Sequence, residues 1–151
     1  MLVISVSIWS CTTESVFDEN EQLAIDRQLI LDYIQENSIN AVQIEDTGIY
    51  YSISQQGSGP TPEFASSVFT DYRGYLLDGT EFDTSEGRGV FNFVIGAGAV
   101  IQGWERGFQE FNKGTAATLF IPSKFGYGSR RQGSIPPNSV LIFDVNVIDI
   151  R

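Results

Sequence analysis

The chain has no histidine and one cysteine, Cys11, in 151 residues. The absence of imidazole removes the commonest general base and the commonest metal ligand. One thiol cannot close an intramolecular disulfide, and a cysteine-based zinc site is excluded with it. Basic residues are scarce too: nine Lys and Arg stand against nineteen Asp and Glu, for a formal charge of −10. Binding phosphates needs a basic face, so nucleic acid is set aside as a partner. The deficit is local. Nine of the acids and one base, Arg27, precede residue 60, whereas the remainder holds ten acids and eight bases.

Hydrophobic residues make up 42% of the chain, aromatics 13%, and glycines number fifteen. The length suits one domain with a modest extension, large enough to bury a core without disulfides. Abundant Gly and aromatics together favour a turn-rich, strand-rich fold. Residues 1–10 are uncharged and mostly apolar. That run is half the about 20 residues a spanning helix needs, and it fits the end of a secretory apolar region. Ile8-Trp9-Ser10-Cys11 resembles a bacterial lipobox, which implies a lipidated Cys11 at the mature N-terminus. No Lys or Arg precedes the run, and Trp9 is bulky where the pattern prefers a small residue. A start codon placed too late would account for the missing basic segment. The expected location is the bacterial cell envelope, periplasm-facing or at the surface, with the membrane reached only through the lipid. Without lipidation of Cys11 the expected location is the cytoplasm.

From Asn20 to Asn37 the spacing predicts a helix. Leu23, Ile30, Tyr33 and Ile34 share one face, Asp26 and Asp32 are assigned to another, and Asn20 is the expected cap. Such a helix packs on its own domain or serves as a self-association or client-contact arm; packing is favoured. Strands are expected over Ile49–Ser54, Val68–Tyr75, Phe91–Ile95, Ala116–Ile121 and Val140–Ile150, with an Asp78-Gly79 hairpin turn and a Lys113-Gly114 turn. Between them Gln102–Phe111 reads as a helix, with Trp104, Phe108 and Phe111 on one face. Gly107 in mid-helix costs about 1 kcal/mol, so a close approach to the sheet is expected there. The predicted class is α+β: one short amphipathic helix packed on an antiparallel sheet of about five strands, preceded by a helical extension.

Several segments then fall into a known order. Asp71-Tyr72-Arg73-Gly74-Tyr75-Leu76 is followed by Asp78-Gly79-Thr80-Glu81-Phe82-Asp83-Thr84-Ser85, Phe91-Asn92-Phe93 and Val100-Ile101-Gln102-Gly103-Trp104-Glu105. Ile121-Pro122, Phe125-Gly126-Tyr127-Gly128, Ile135-Pro136-Pro137-Asn138 and Leu141-Ile142-Phe143-Asp144-Val145 complete the set. From about Val68 to Ile150 the chain resembles the FK506-binding protein family of peptidyl-prolyl cis-trans isomerases. The resemblance implies a curved sheet wrapped around one helix, with a substrate pocket between them and no cofactor or metal. Taken with the N-terminal readings, the expected division is a truncated lipoprotein signal and acidic linker (1–19), the helical extension (20–46) and the isomerase domain (47–151). The catalytic set carries over as Asp83, Tyr127, Trp104, Tyr72, Phe82 and Phe143. Phe91, Val100, Ile101 and Ile135 carry over as substrate-binding residues. Proline-containing polypeptides are the implied substrates, and the macrolides FK506 and rapamycin the implied inhibitors. One departure is the loop from Gly128 to Ile135, one residue shorter than in the best-known small members and carrying Arg130-Arg131.

This residue set suits the reaction. Amide resonance opposes rotation by about 18–20 kcal/mol, and X-Pro isomers exchange slowly. Catalysis needs tighter binding of the twisted amide than of either planar form, with no nucleophile and no metal. A non-catalytic module or holdase that captures proline segments is the alternative. Gly96-Ala97-Gly98 invites a dinucleotide-binding reading, but Ile101 fills the last motif position and no acid stands about 20 residues on. Asp78, Glu81, Asp83 and Glu86 crowd one hairpin, which argues against carboxylate-pair hydrolysis.

Overall fold

A computed structural model describes residues 18–151. Cys11, with the apolar run and most of the linker around it, lies outside the described residues. The elements are α1 (Glu19–Glu36), β1 (Val42–Gln43), β2 (Tyr50–Gln55), β3 (Ser67–Tyr75), β4 (Glu81–Thr84), β5 (Phe91–Val94), α2 (Gln102–Gly107), β6 (Ala116–Ile121) and β7 (Leu141–Ile150). Single 3-10 turns follow α2 at Phe108–Glu110 and β6 at Ser123–Phe125. The strands pair antiparallel in the order β1-β2-β6-β7-β3-β4, and β5 also pairs with β3. The five expected strands are β2, β3, β5, β6 and β7. β1 and β4 are short additions at the sheet's margins.

Strand periodicity explains how one sheet packs two helices on opposite faces. On β7, Leu141, Phe143, Val145 and Val147 point to one side, and on β6 Ala117, Leu119 and Ile121 do the same. These residues form the main core with Trp104, Phe108 and Phe111 of the α2 segment. The intervening Phe120 and Ile142 face the other way and join Tyr50, Val140 and Ile30 of α1 in a second core. Burying each such side chain contributes roughly 1.5–3 kcal/mol, so α1 is part of the fold and packs on its own domain. Among the described residues no helix is long and apolar enough to cross a membrane.

Three expectations are corrected in detail. The cap of α1 is Asp18, whose side chain accepts the Asn20 N–H at 2.9 Å; Asn20 is inside the helix. Asp26 does not share a side with Asp32: three residues after Leu23 and four before Ile30, it lies on their face. It is fully buried and hydrogen-bonded to Ser123. The second helix is α-helical only to Gly107, after which it tightens to a 3-10 turn. The close approach expected at Gly107 is present and is shared by Gly103. A Cβ at Gly107 would meet Leu119 Cδ2 at 2.5 Å, and one at Gly103 would meet Ile121 Cγ2 at 2.4 Å. Both neighbours lie on β6, so α2 rests with its backbone almost on the strand.

Candidate active site

The α2–sheet contact places Trp104 at the centre of an aromatic box. The indole is 4% exposed. Tyr72 of β3 meets it edge-on at 5.1 Å, Phe143 of β7 at 5.3 Å and Phe91 of β5 at 5.8 Å, with interplanar angles of 84°, 82° and 81°. Edge-to-face pairs at these distances add about 0.5–1.5 kcal/mol each beyond area burial. The Nε1–H has no acceptor among the described residues, so packing rather than hydrogen bonding fixes the ring. Phe82 of β4 closes the side next to Phe143 at 5.5 Å. Gly74 makes this wall possible, because a Cβ there would stand 2.7 Å from the Phe82 ring and 2.8 Å from that of Phe143.

Val100 and Ile101 reach the box from the loop before α2. That loop turns at Gly96 and Gly98, with φ of 84° and 68°, a region that favours glycine. Their N–H groups donate to the Glu105 carboxylate at 2.7 and 3.2 Å. The glycines that imitate a phosphate cradle are thus occupied by the protein's own acid. Ile101 caps α2, its carbonyl accepting the N–H of Trp104 at 3.0 Å and of Glu105 at 3.2 Å.

The polar groups gather on one rim. The Tyr72 hydroxyl donates to Asp83 Oδ2 at 2.7 Å and the Thr84 N–H donates to Oδ1 at 3.0 Å. The Arg88 guanidinium pairs with Oδ1 and also reaches the Thr84 carbonyl. Burial pushes the Asp83 carboxyl up, but hydrogen bonds from Arg88 and Tyr72 outweigh it and hold the acid below its usual range. Burial and the Asp83 hydrogen bond push the Tyr72 hydroxyl up to about 12. Burial, aided by the Asp83 charge, raises that of Tyr127. Near neutral pH the site therefore offers one carboxylate and two protonated phenols.

All ten residues expected at the site line one cleft of about 570 Å³: Tyr72, Phe82, Asp83, Phe91, Val100, Ile101, Trp104, Tyr127, Ile135 and Phe143. Phe93, Phe108, Leu119 and Val145 lie in the core behind it. Arg130 and Arg131 are exposed at the loop tip. Gln132, Gly133 and Ser134 form an unanticipated rim. Arg88 was missed as the partner of Asp83. It stands five residues on, across a Ser-Glu-Gly turn. The cleft is apolar at its base, polar on one side, and built without a base or nucleophile at its centre.

Comparison with known proteins agrees. The family model described as FKBP-type peptidyl-prolyl cis-trans isomerase matches residues 59–148. FK506-binding protein 1 of Gibberella zeae is 48% identical over 106 residues, covering 66% of this chain and 96% of that relative. FkpA of Escherichia coli is 38% identical over 111 residues, spanning 73% of this chain but only 40% of FkpA. The crystal structure of Escherichia coli FkpA superposes with a TM-score of 0.73 at 31% identity, over 87% of this chain and 62% of that one. A peptidyl-prolyl cis-trans isomerase from Pseudomonas syringae pv. tomato also gives 0.73, at 28% identity over 88% and 96%. The chain belongs to the family of FKBP-type peptidyl-prolyl cis-trans isomerases.

Proposed function

We propose that the Trp104 cleft is where this isomerase binds and rotates X-Pro bonds of its polypeptide substrates. One observation carries this reading: three aromatic edges box a buried indole beneath an open cleft whose only charge lies at its rim. Proline's ring sits on Trp104, with Phe82, Phe91, Val100, Ile135 and Phe143 as walls. The Ile101 N–H lies ahead of the first helical turn, where such donors have no intrahelical partner. With the Tyr127 hydroxyl it holds the peptide's carbonyls.

Twisting the amide breaks its resonance and lowers its charge separation, so a dry apolar site favours the twisted form over the planar one. No proton is transferred and no covalent bond to the enzyme forms. Asp83, tied to Tyr72 and Arg88, orients the rim, and its negative charge bears on the twisted amide.

The decisive experiment is isomerisation of an Ala-Leu-Pro-Phe-type peptide by the chain and by Trp104→Ala, with and without FK506 or rapamycin. The chain accelerates the reaction, the macrolides suppress it, and the variant loses both effects. A chain that binds the peptide but leaves the rate unchanged is a holdase instead. Macrolide inhibition that survives Trp104→Ala would place drug binding elsewhere.

The finer setting rests on the sequence. The lipobox-like Ile8–Cys11 supports a lipid-anchored envelope protein acting on exported clients, whose folding often waits on proline isomerisation. Mass spectrometry of the native N-terminus is expected to find a lipidated Cys11. An unmodified Met1 would end this reading.

A further inference from the structure

The α1 helix meets the rest of the chain through a buried polar joint as well as an apolar face. Asp26 has no exposed surface, and Ser123 is 2% exposed. Asp26 Oδ2 accepts the Ser123 N–H at 2.7 Å and the Ser123 hydroxyl at 2.5 Å. Oδ1 accepts the Gln22 side-chain amide at 2.8 Å. Three donors meeting one buried carboxylate is the condition under which such a group is retained inside a protein.

Ser123 opens the turn that carries a cleft residue. Its carbonyl accepts the N–H groups of Gly126 at 2.9 Å and Gly128 at 2.8 Å, the residues flanking Tyr127. The Gly128 carbonyl in turn accepts the Asn138 N–H at 2.8 Å and closes the loop at its far end. Across a small crevice, Glu19 and Gln22 of α1 face Lys124, Ser129 and Asn138 of the same loop. A continuous run of hydrogen bonds therefore leads from α1 to both sides of Tyr127 without entering the cleft.

Docking alone does not require this arrangement. Ile30, Phe120 and Ile142 already bury an apolar face, and replacing buried charge by apolar groups is often neutral or stabilising. A carboxylate differs from such a residue in being directional: it fixes where its donors stand. We propose that Asp26 is a positioning residue for the isomerase. By locking Ser123 it sets the place of the Tyr127 hydroxyl in the cleft, which makes α1 a working part of the enzyme. The inference rests on the isomerase reading above.

The test is a double-mutant cycle in the full chain. Asp26→Asn is expected to lower kcat/KM toward a proline tetrapeptide about tenfold, the loss that follows from one misplaced hydrogen-bond donor. In a Tyr127→Phe background the same change is expected to cost less than about twofold. An undiminished rate, or equal losses in both backgrounds, overturns the proposal, since equal losses mean a general loosening. If Asp26→Asn does not fold, Ser123→Ala removes the hydroxyl bond alone. It should give a smaller loss that again disappears with Tyr127→Phe, and a loss that persists overturns the proposal. Amide exchange at residues 126–128 reads the joint without turnover and should quicken in Asp26→Asn; unchanged exchange overturns the proposal. A wild-type chain without isomerase activity but with that quickening would strike down the isomerase reading and leave the joint standing.

Discussion

Asp83 shows how one side chain serves both shape and charge. It accepts from Tyr72, Thr84 and Arg88, so the carboxylate fixes the rim before any substrate arrives. Asn at this position keeps the volume but loses the charge that the proposed mechanism sets against the twisted amide. It also turns a donor toward one of the donors Asp83 now accepts. Asp83→Asn is expected to lower kcat/KM about tenfold, the order of one charge-assisted hydrogen bond, with little change in the folded signal because the group is partly exposed. The tetrapeptide assay and circular dichroism on one preparation check this. An undiminished rate would leave Asp83 with no part in catalysis. Asp83 was legible from the sequence only through the motif around it, since an isolated Asp after a hairpin reads as a turn cap. Arg88 was not legible, because pairing across a turn depends on the fold that brings the turn back.

At the scale of elements, the contact of α2 with β6 is set by what two glycines lack. Ala is the better helix former by about 1 kcal/mol, so either glycine should be improvable in an isolated helix. In the fold the added Cβ enters β6. At Gly103 it meets three atoms of Ile121 at 2.4, 2.7 and 3.0 Å, and Ile121 is fully buried and stiff at χ1. At Gly107 it meets the tip of Leu119 at 2.5 and 2.8 Å, a side chain with more freedom to yield. Overpacking of this kind costs about 1–3 kcal/mol, which exceeds the propensity gain. Gly103→Ala is expected to be the more destabilising, by about 1–2 kcal/mol net, and Gly107→Ala the milder. Urea midpoints at unchanged m-value measure both, and the reverse order would contradict the packing argument. Gly107 could be singled out from the sequence because a mid-helix glycine is costly. Gly103, in the first turn, carried no such mark. β2, β3, β6 and β7 were readable from length and composition and β5 from the alternation of Phe91, Phe93 and Ile95, whereas β1 has two residues and β4 a single large apolar one, Phe82, so neither shows a period. Asp26 is three residues from Leu23 and four from Ile30, so its spacing already puts it on the apolar face and away from Asp32; only its partner, 97 residues away, was beyond the sequence.

At the scale of the whole molecule, a chain without histidine has no side chain of ordinary pKa that changes charge near neutrality. The cleft groups that titrate have been pushed outward from that range. Asp83 lies below its ordinary 3.8, where burial is outweighed by Arg88 and Tyr72. Tyr72 is raised by burial and Asp83 to about 12, and Tyr127 is also raised, by burial first. Away from the cleft, hydrogen bonds from Lys113 and Arg151 lower Asp149 to about 2. A depressed carboxyl stabilises the fold above its unfolded pKa, and that contribution is lost as pH falls through the folded value. A raised phenol stabilises the fold below its unfolded pKa of 10.0, and the contribution is lost as pH climbs through about 12. Both limits lie outside the neutral range, so the rim groups keep their protonation between them. The expected profile is a kcat/KM for the proline tetrapeptide that is flat from about pH 6 to pH 9. Stability should begin to fall only below about pH 4, as Asp83 and Asp149 take up protons. A step in kcat/KM near pH 7 would mean that a titrating group outside this cleft takes part in the rate-limiting event, and the proton-free account of catalysis would fail with it.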